Sequence, residues 1–166
     1  MAQSPVFLLL ALMIGAVNLT WPADQKPAPN VTFQDGQSAS VRLADYKGKV
    51  VLVDFWASWC TPCKTSFPAL DKLYQEYKAR GFEVLAVNLD QRRRDADAFL
   101  AARPHMMPVL FDPKGASPLA FAVRGMPSSF LIDRTGMIRF THMGYSDNIG
   151  DQYRREIAQL IAEREP

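Results

Sequence analysis

The chain is poor in the residues that build metal centres. Its 166 residues include two cysteines and two histidines. The histidines, His105 and His142, are isolated in the sequence and are read as structural or surface residues. A tetrahedral zinc site needs four such ligands brought together; with no second C-x-x-C and the two histidines isolated, a zinc-stapled domain is disfavoured. Charge of either sign is not in excess. Lys and Arg number 19 against 17 Asp and Glu, a formal net charge of +2, too little to hold nucleic acid or a strongly anionic surface. No apolar run reaches the about 20 residues of a membrane-spanning helix. The run Val6 to Val17 stops short of that, and no cysteine stands near it for a lipid anchor. There is no internal repeat, and no flavin or nicotinamide motif. What remains is 48% hydrophobic and 22% charged, which suits one packed domain with an extension.

Both cysteines fall in one place, Trp59-Cys60-Thr61-Pro62-Cys63-Lys64, directly after the apolar run Val50-Val51-Leu52-Val53-Asp54-Phe55-Trp56. A strand that delivers a C-x-x-C pair to the start of a helix fits dithiol–disulfide exchange. Helical positions i and i+3 share a face, so both sulfurs point to one place. A helix beginning near Cys60 sets that sulfur beside unpaired N–H groups and the positive end of the dipole. Cys60 is therefore expected to be the low-pKa attacking sulfur. Cys63, one turn further in and more buried, is expected to resolve the mixed disulfide. Pro62 fits the first turn, where a missing N–H costs little. A purely structural staple is disfavoured, because a C-x-x-C bridge closes a very small loop.

Asp54 is the second candidate. Between Val53 and Phe55 its carboxylate loses water, which raises its pKa. A carboxylate so placed can take the proton of Cys63 as that sulfur becomes a nucleophile. Trp56 reads as core. Trp59 reads as an apolar rim that shields Cys60 or meets substrate, with Thr61 and Pro62 setting the potential of the pair.

The segment Val53-Asp54-Phe55-Trp56-Ala57-Ser58-Trp59-Cys60-Thr61-Pro62-Cys63-Lys64 resembles the active-site strand and helix of the thioredoxin superfamily. Val123-Arg124-Gly125-Met126-Pro127-Ser128-Ser129-Phe130-Leu131-Ile132-Asp133 is similar to the segment that carries its cis-proline. The lead-in Val31-Thr32-Phe33-Gln34-Asp35-Gly36, with Val41 to Lys49 and the stretch Phe82 to Phe111, resembles the TlpA/ResA-like branch. The resemblance implies an α/β, thioredoxin-like fold: a central mixed β-sheet flanked by helices on both faces, with an N-terminal β-hairpin extension. It places Pro127 against the cysteine pair and leaves the Met126 backbone to pair with an extended substrate strand. It also marks a departure. Some ResA-like proteins carry an acidic residue where this chain has Gln91, with Asp90 one position earlier. Either Asp90 substitutes or that tuning is absent, and the case for a cytochrome-maturation substrate weakens accordingly.

Along the chain, residues 1–20 read as a signal peptide or N-terminal membrane anchor, although Met1-Ala2-Gln3-Ser4 lacks the usual positive charge. Residues 21–30 read as a proline-rich linker, and 31–166 as the thioredoxin-like domain. Strands are expected over Val31–Gln34, Ser40–Arg42, Lys49–Trp56, Phe82–Leu89, Met107–Phe111, Ser128–Ile132 and Met137–His142. Helices are expected over Cys60–Arg80, kinked at Pro68 and ended by Gly81, and over Asp95–Ala102, Ser117–Val123 and Ile149–Glu163. Arg92-Arg93-Arg94 reads as a solvated loop.

The implied activity is that of a thiol–disulfide oxidoreductase reducing protein disulfides outside the cytoplasm, in the periplasm or tethered to the membrane. Cytochrome c maturation is one implied use. No cofactor is expected beyond the Cys60–Cys63 pair. The expected partners are protein disulfides and an upstream thiol reductant in the membrane, with no nucleic acid. The membrane itself is a partner if the N-terminal segment stays uncleaved. The alternatives are a cytosolic thioredoxin-like reductase, a thiol peroxidase, or a binding module with incidental cysteines. The peroxidase reading lacks its P-x-x-x-[ST]-x-x-C signature before Cys60.

Overall fold

Two apolar strands carry the architecture. The computed structural model describes residues 26–146 and 148–163; the leader or anchor expected over 1–20 and the linker as far as residue 25 lie outside them. β1 (Lys26–Pro27), β2 (Thr32–Gln34) and β3 (Ser40–Arg42) are short. β4 (Val50–Trp56) leads into helix α1 (Thr61–Tyr77). β5 (Phe82–Asn88), α2 (Arg93–Ala101), β6 (Val109–Phe111) and α3 (Ala116–Ala120) follow. β7 (Ser128–Ile132), β8 (Met137–Met143) and α4 (Ile149–Ala162) close the chain.

The strands form one sheet in the order β1-β8-β7-β4-β5-β6-β2-β3. β4 runs parallel to β5 and antiparallel to β7, so the sheet is mixed, as expected. Every residue of β4 and β5 is buried, which is why both read as near-continuous apolar runs. Their side chains alternate between two cores. Val50, Leu52 and Trp56 pack with residues of α1 and α4 and with Phe99 of α2. Val51, Val53 and Phe55 pack on the other face with Leu43 and with Phe121, which follows α3. Helical cover on both faces follows from this alternation.

The expected hairpin pairs β2 with β3 in register Phe33↔Val41 and joins the sheet edge through β6. Lys26 and Pro27, assigned to the linker from composition, form a short strand on the opposite edge, against Ile138 and Met137 of β8. α1 continues through Pro68. It tightens into a 3₁₀ turn at Lys78–Arg80 and stops at Gly81, whose φ of 81° suits a residue without a Cβ. α2 begins earlier than expected, because the arginine run is not a free loop. Arg92 bonds Asp95 and Arg93 bonds Asp97, each at 2.7 Å. The Arg93 guanidinium also lies 3.8 Å from the Phe111 ring centre. Pairs at i,i+4 support the first turn of a helix. Among the described residues no helix is long and apolar enough to cross a membrane.

Candidate active site

β4 ends at Trp56, and the chain turns through Ala57-Ser58-Trp59 before α1 begins. Cys60 closes that turn, its N–H bonded to the Ala57 carbonyl at 3.1 Å. It is also the N-cap of α1: its extended backbone ends the loop, and its sulfur accepts the Cys63 N–H at 3.3 Å. An N-cap normally uses an oxygen for this. Here a sulfur takes the place, at the positive end of a 17-residue helix.

The two cysteines are joined as a disulfide with their Cα atoms 5.3 Å apart. Cys63 is fully buried, and Cys60 keeps 5% of its surface. Trp59 beside them is 66% exposed, and Thr61, Pro62 and Lys64 are exposed on the first turn. The sulfur pair thus opens to solvent at one edge, next to an indole with no partner ring among the described residues.

The Ser58 turn is held from behind. Asp90, 5% exposed, follows β5. Its carboxylate accepts the Ser58 N–H and hydroxyl at 2.9 Å each, and the Asn88 amide at 2.7 Å. Gln91, the other candidate at this position, is exposed. The acidic group that reaches the cysteine loop is therefore Asp90, and it reaches the backbone before Cys60.

Asp54 lies on the face of β4 that carries Leu52 and Trp56, the face against which Cys63 packs. It is 2% exposed. Ser129, directly opposite on β7, donates its hydroxyl to Oδ1 at 2.6 Å. Tyr153 of α4 donates in turn to the Ser129 hydroxyl at 2.8 Å. Burial pushes the Asp54 carboxyl up from 3.8 to about 7, while the Ser129 hydrogen bond pulls the other way. Burial, and after it the Asp54 charge, push the Tyr153 phenol further above its ordinary value.

Pro127 stands before β7, and the Met126–Pro127 peptide bond is cis. Pro127 is buried, and its carbonyl accepts the Gly144 N–H at 2.8 Å. Met126 is half-buried and packs on the same apolar cluster as Cys60 and Cys63. Met126 has no strand partner among the described residues, since β7 begins at Ser128. The fold thus gathers Asp54, Cys60, Cys63 and Met126 around one core.

His142 is buried and bonded to Glu156 at 2.7 Å, and His105 is half-buried with Nδ1 against the Arg103 carbonyl at 2.8 Å. Both histidines are therefore structural. Reading by residue missed Ser129 and Tyr153, whose only signals are a serine in an apolar strand and a tyrosine on a helix face.

The Redoxin family profile matches residues 23–158. The chain is 33% identical over 142 residues to the thiol-disulfide oxidoreductase ResA of Bacillus anthracis, covering 79% of this chain and 82% of that one. With the ResA of Bacillus thuringiensis subsp. konkukian (strain 97-27) the identity is 34% over 113 residues, or 68% of this chain. There the match spans 65% of the relative's length. Among solved structures, a putative thiol:disulfide interchange protein DsbE from Chlorobium tepidum superposes with a TM-score of 0.79 at 43% identity. That match covers 82% of this chain and 96% of the other. The thioredoxin-like fold is therefore shared with these proteins.

Proposed function

The chain belongs to the Redoxin family, among its ResA-like members, and from that premise we propose that it is a thiol–disulfide oxidoreductase that reduces protein disulfides outside the cytoplasm. The observation that carries the reading is the placement of Cys60 sulfur as the N-cap of α1, with Cys63 buried one turn in. That position favours a thiolate once the pair is reduced.

The cycle starts from the dithiol. The Cys60 thiolate attacks one sulfur of a substrate disulfide, and the other substrate sulfur leaves as a thiolate that takes a proton from solvent. Cys63 then gives its proton to Asp54 and attacks Cys60. The Cys60–Cys63 bond forms, and the second substrate sulfur leaves as a thiolate. Two electrons pass from the cysteine pair to the substrate. The raised pKa of Asp54, about 7, suits a group that must take up and release a proton near neutrality. Trp59, Thr61 and Pro62 meet the substrate at the exposed edge, and the Met126 backbone takes its extended strand by β-augmentation.

No cofactor takes part in this scheme. The dithiol is restored by an upstream thiol reductant, in this reading a membrane protein. The apolar run Val6 to Val17 and the proline-rich spacer after it support an extracytoplasmic address, by export or by anchoring. Apocytochrome haem-binding cysteines form one substrate class within this reading, and exposed, uncharged Gln91 argues for a broader set.

The test is substrate trapping. A Cys63→Ser variant, reduced and mixed with extracytoplasmic proteins, accumulates mixed disulfides through Cys60 that dithiothreitol releases. A Cys60→Ser variant accumulates few. Equal capture by the two variants, or none by either, overturns the reading.

A further inference from the structure

The proposed cycle uses Asp54 but not the rest of the buried polar row in which it stands. Asp54 faces Ser129 across the β4–β7 pair, and Ser129 faces His142 across the β7–β8 pair. Residues directly opposite in a sheet share a face, so the three side chains stand in one line beneath α4. Tyr153 lies over that line. Its hydroxyl bonds Ser129 at 2.8 Å, and its ring meets the His142 ring edge-on with centroids 4.9 Å apart. Glu156 binds His142 Nε2 at 2.7 Å, and Gln152 donates to Glu156 at 2.9 Å. Ser129 from β7 bonds Asp54 and Tyr153 from α4 stands behind it, while Cys63 of α1 packs in the cluster on the same face of β4. Glu156, His142 and Tyr145 stand around Tyr153.

Counting protons fixes the direction of this chain. A buried phenol must give its O–H to an acceptor, and among the described residues Ser129 Oγ is the one in reach. A serine hydroxyl holds a single proton. With Oγ already accepting from Tyr153, that proton goes to Asp54 Oδ1 at 2.6 Å. That hydrogen bond makes Oδ1 the less basic oxygen, and Oδ2 is the one favoured to take up a proton.

We propose that Ser129 and Tyr153 are positioning residues for the reduction cycle: their one-way hydrogen-bond chain holds the Asp54 carboxylate in place, lowers the basicity of Oδ1 and so directs the proton of Cys63 to Oδ2. The proposal rests on the reading of Asp54 as the base for Cys63. The transfer moves one proton from Cys63 sulfur to Oδ2, while the Tyr153 and Ser129 protons stay where they are. Because Ser129 donates to the carboxylate, it also keeps Asp54 able to ionise near neutrality despite complete burial. The upward push on the Tyr153 phenol keeps that donor protonated throughout the working range. The Glu156–His142–Gln152 cluster holds α4 in the register that delivers Tyr153.

The test uses the full chain and two readouts. One is the carbon-13 NMR titration of the Asp54 carboxyl. The other is the pH profile of Cys63 resolving a preformed mixed disulfide between Cys60 and a small aromatic thiol. Ser129→Ala is expected to move both midpoints upward by about one pH unit. Tyr153→Phe, nearly isosteric, moves them the same way by less, and Ser129→Thr restores the wild-type midpoint. In an Asp54→Asn background neither change alters the profile further. Unmoved midpoints in both Ser129→Ala and Tyr153→Phe, or a Ser129→Ala shift that Thr does not rescue, overturn the proposal. A resolving profile unaffected by Asp54→Asn instead overturns the reading of Asp54 on which it rests.

Discussion

At the scale of single residues, Asp54 gives the clearest energetic consequence. Its carboxyl is raised in the folded protein to about 7 from 3.8. The folded state therefore binds the proton more tightly than the unfolded state does, and ionisation opposes folding. Below the unfolded pKa the group is neutral in both states and costs nothing. The penalty grows as pH rises from about 4 and is complete above about 7. A rise of this size corresponds to about 4 kcal/mol for a group this buried. Asp54→Asn is thus expected to match wild type in urea unfolding at pH 4 and to exceed it by up to about 4 kcal/mol at pH 8. A constant difference across that range would remove Asp54 as the titrating group. The need for an unusual role at Asp54 is legible in the sequence, because a charge between Val53 and Phe55 is costly. Its partner is not. Ser129 is one of two adjacent serines, and only the strand register Asp54↔Ser129 shows which one faces the carboxylate.

At the scale of elements, the strand β4 and the helix α1 were readable from apolar runs and helical spacing, but the connection between them was not. Three hydrogen bonds to Asp90 hold the turn at Ser58 against the end of β5. An acidic residue at a strand end looks like a solvated one, and only tertiary closure shows it buried. Asp90→Ala removes the acceptor of the Ser58 N–H and hydroxyl and of the Asn88 side-chain NH2, while the bond from the backbone N–H at that position to the Asn88 side-chain carbonyl stays. The expected cost is about 3 kcal/mol by urea unfolding. The same variant should raise the thiolate midpoint of reduced Cys60, read by absorbance near 240 nm, because the N-cap geometry of the sulfur depends on that turn. Loss of stability with an unmoved Cys60 midpoint would make Asp90 a structural anchor only. The early start of α2 had a similar origin: three consecutive arginines suggest a solvated loop until Asp95 and Asp97 supply partners one turn on.

At the scale of the molecule, the fold brings four distant stretches to the end of β4 where it meets α1. They are the cysteine turn, the Asp90 loop, the Met126–Pro127 approach to β7, and the Tyr153 face of α4. β4 is the strand where parallel pairing to β5 meets antiparallel pairing to β7. In open α/β sheets such strand ends are common places for a site. The motif and the order of strands and helices were legible because apolar runs and turn residues mark them locally. The row Asp54–Ser129–Tyr153 was not, since it is written in three elements and closes only when the sheet is assembled. The central claim is that this assembly assigns different tasks to two chemically identical sulfurs. It is tested most directly by pH-resolved alkylation of the fully reduced protein, with each cysteine quantified by mass spectrometry. The account predicts that Cys60 reacts first, with a midpoint below the ordinary thiol value of about 8.5, while Cys63 stays protected to higher pH. Earlier alkylation of Cys63, or one shared midpoint near 8.5 for both, would contradict it.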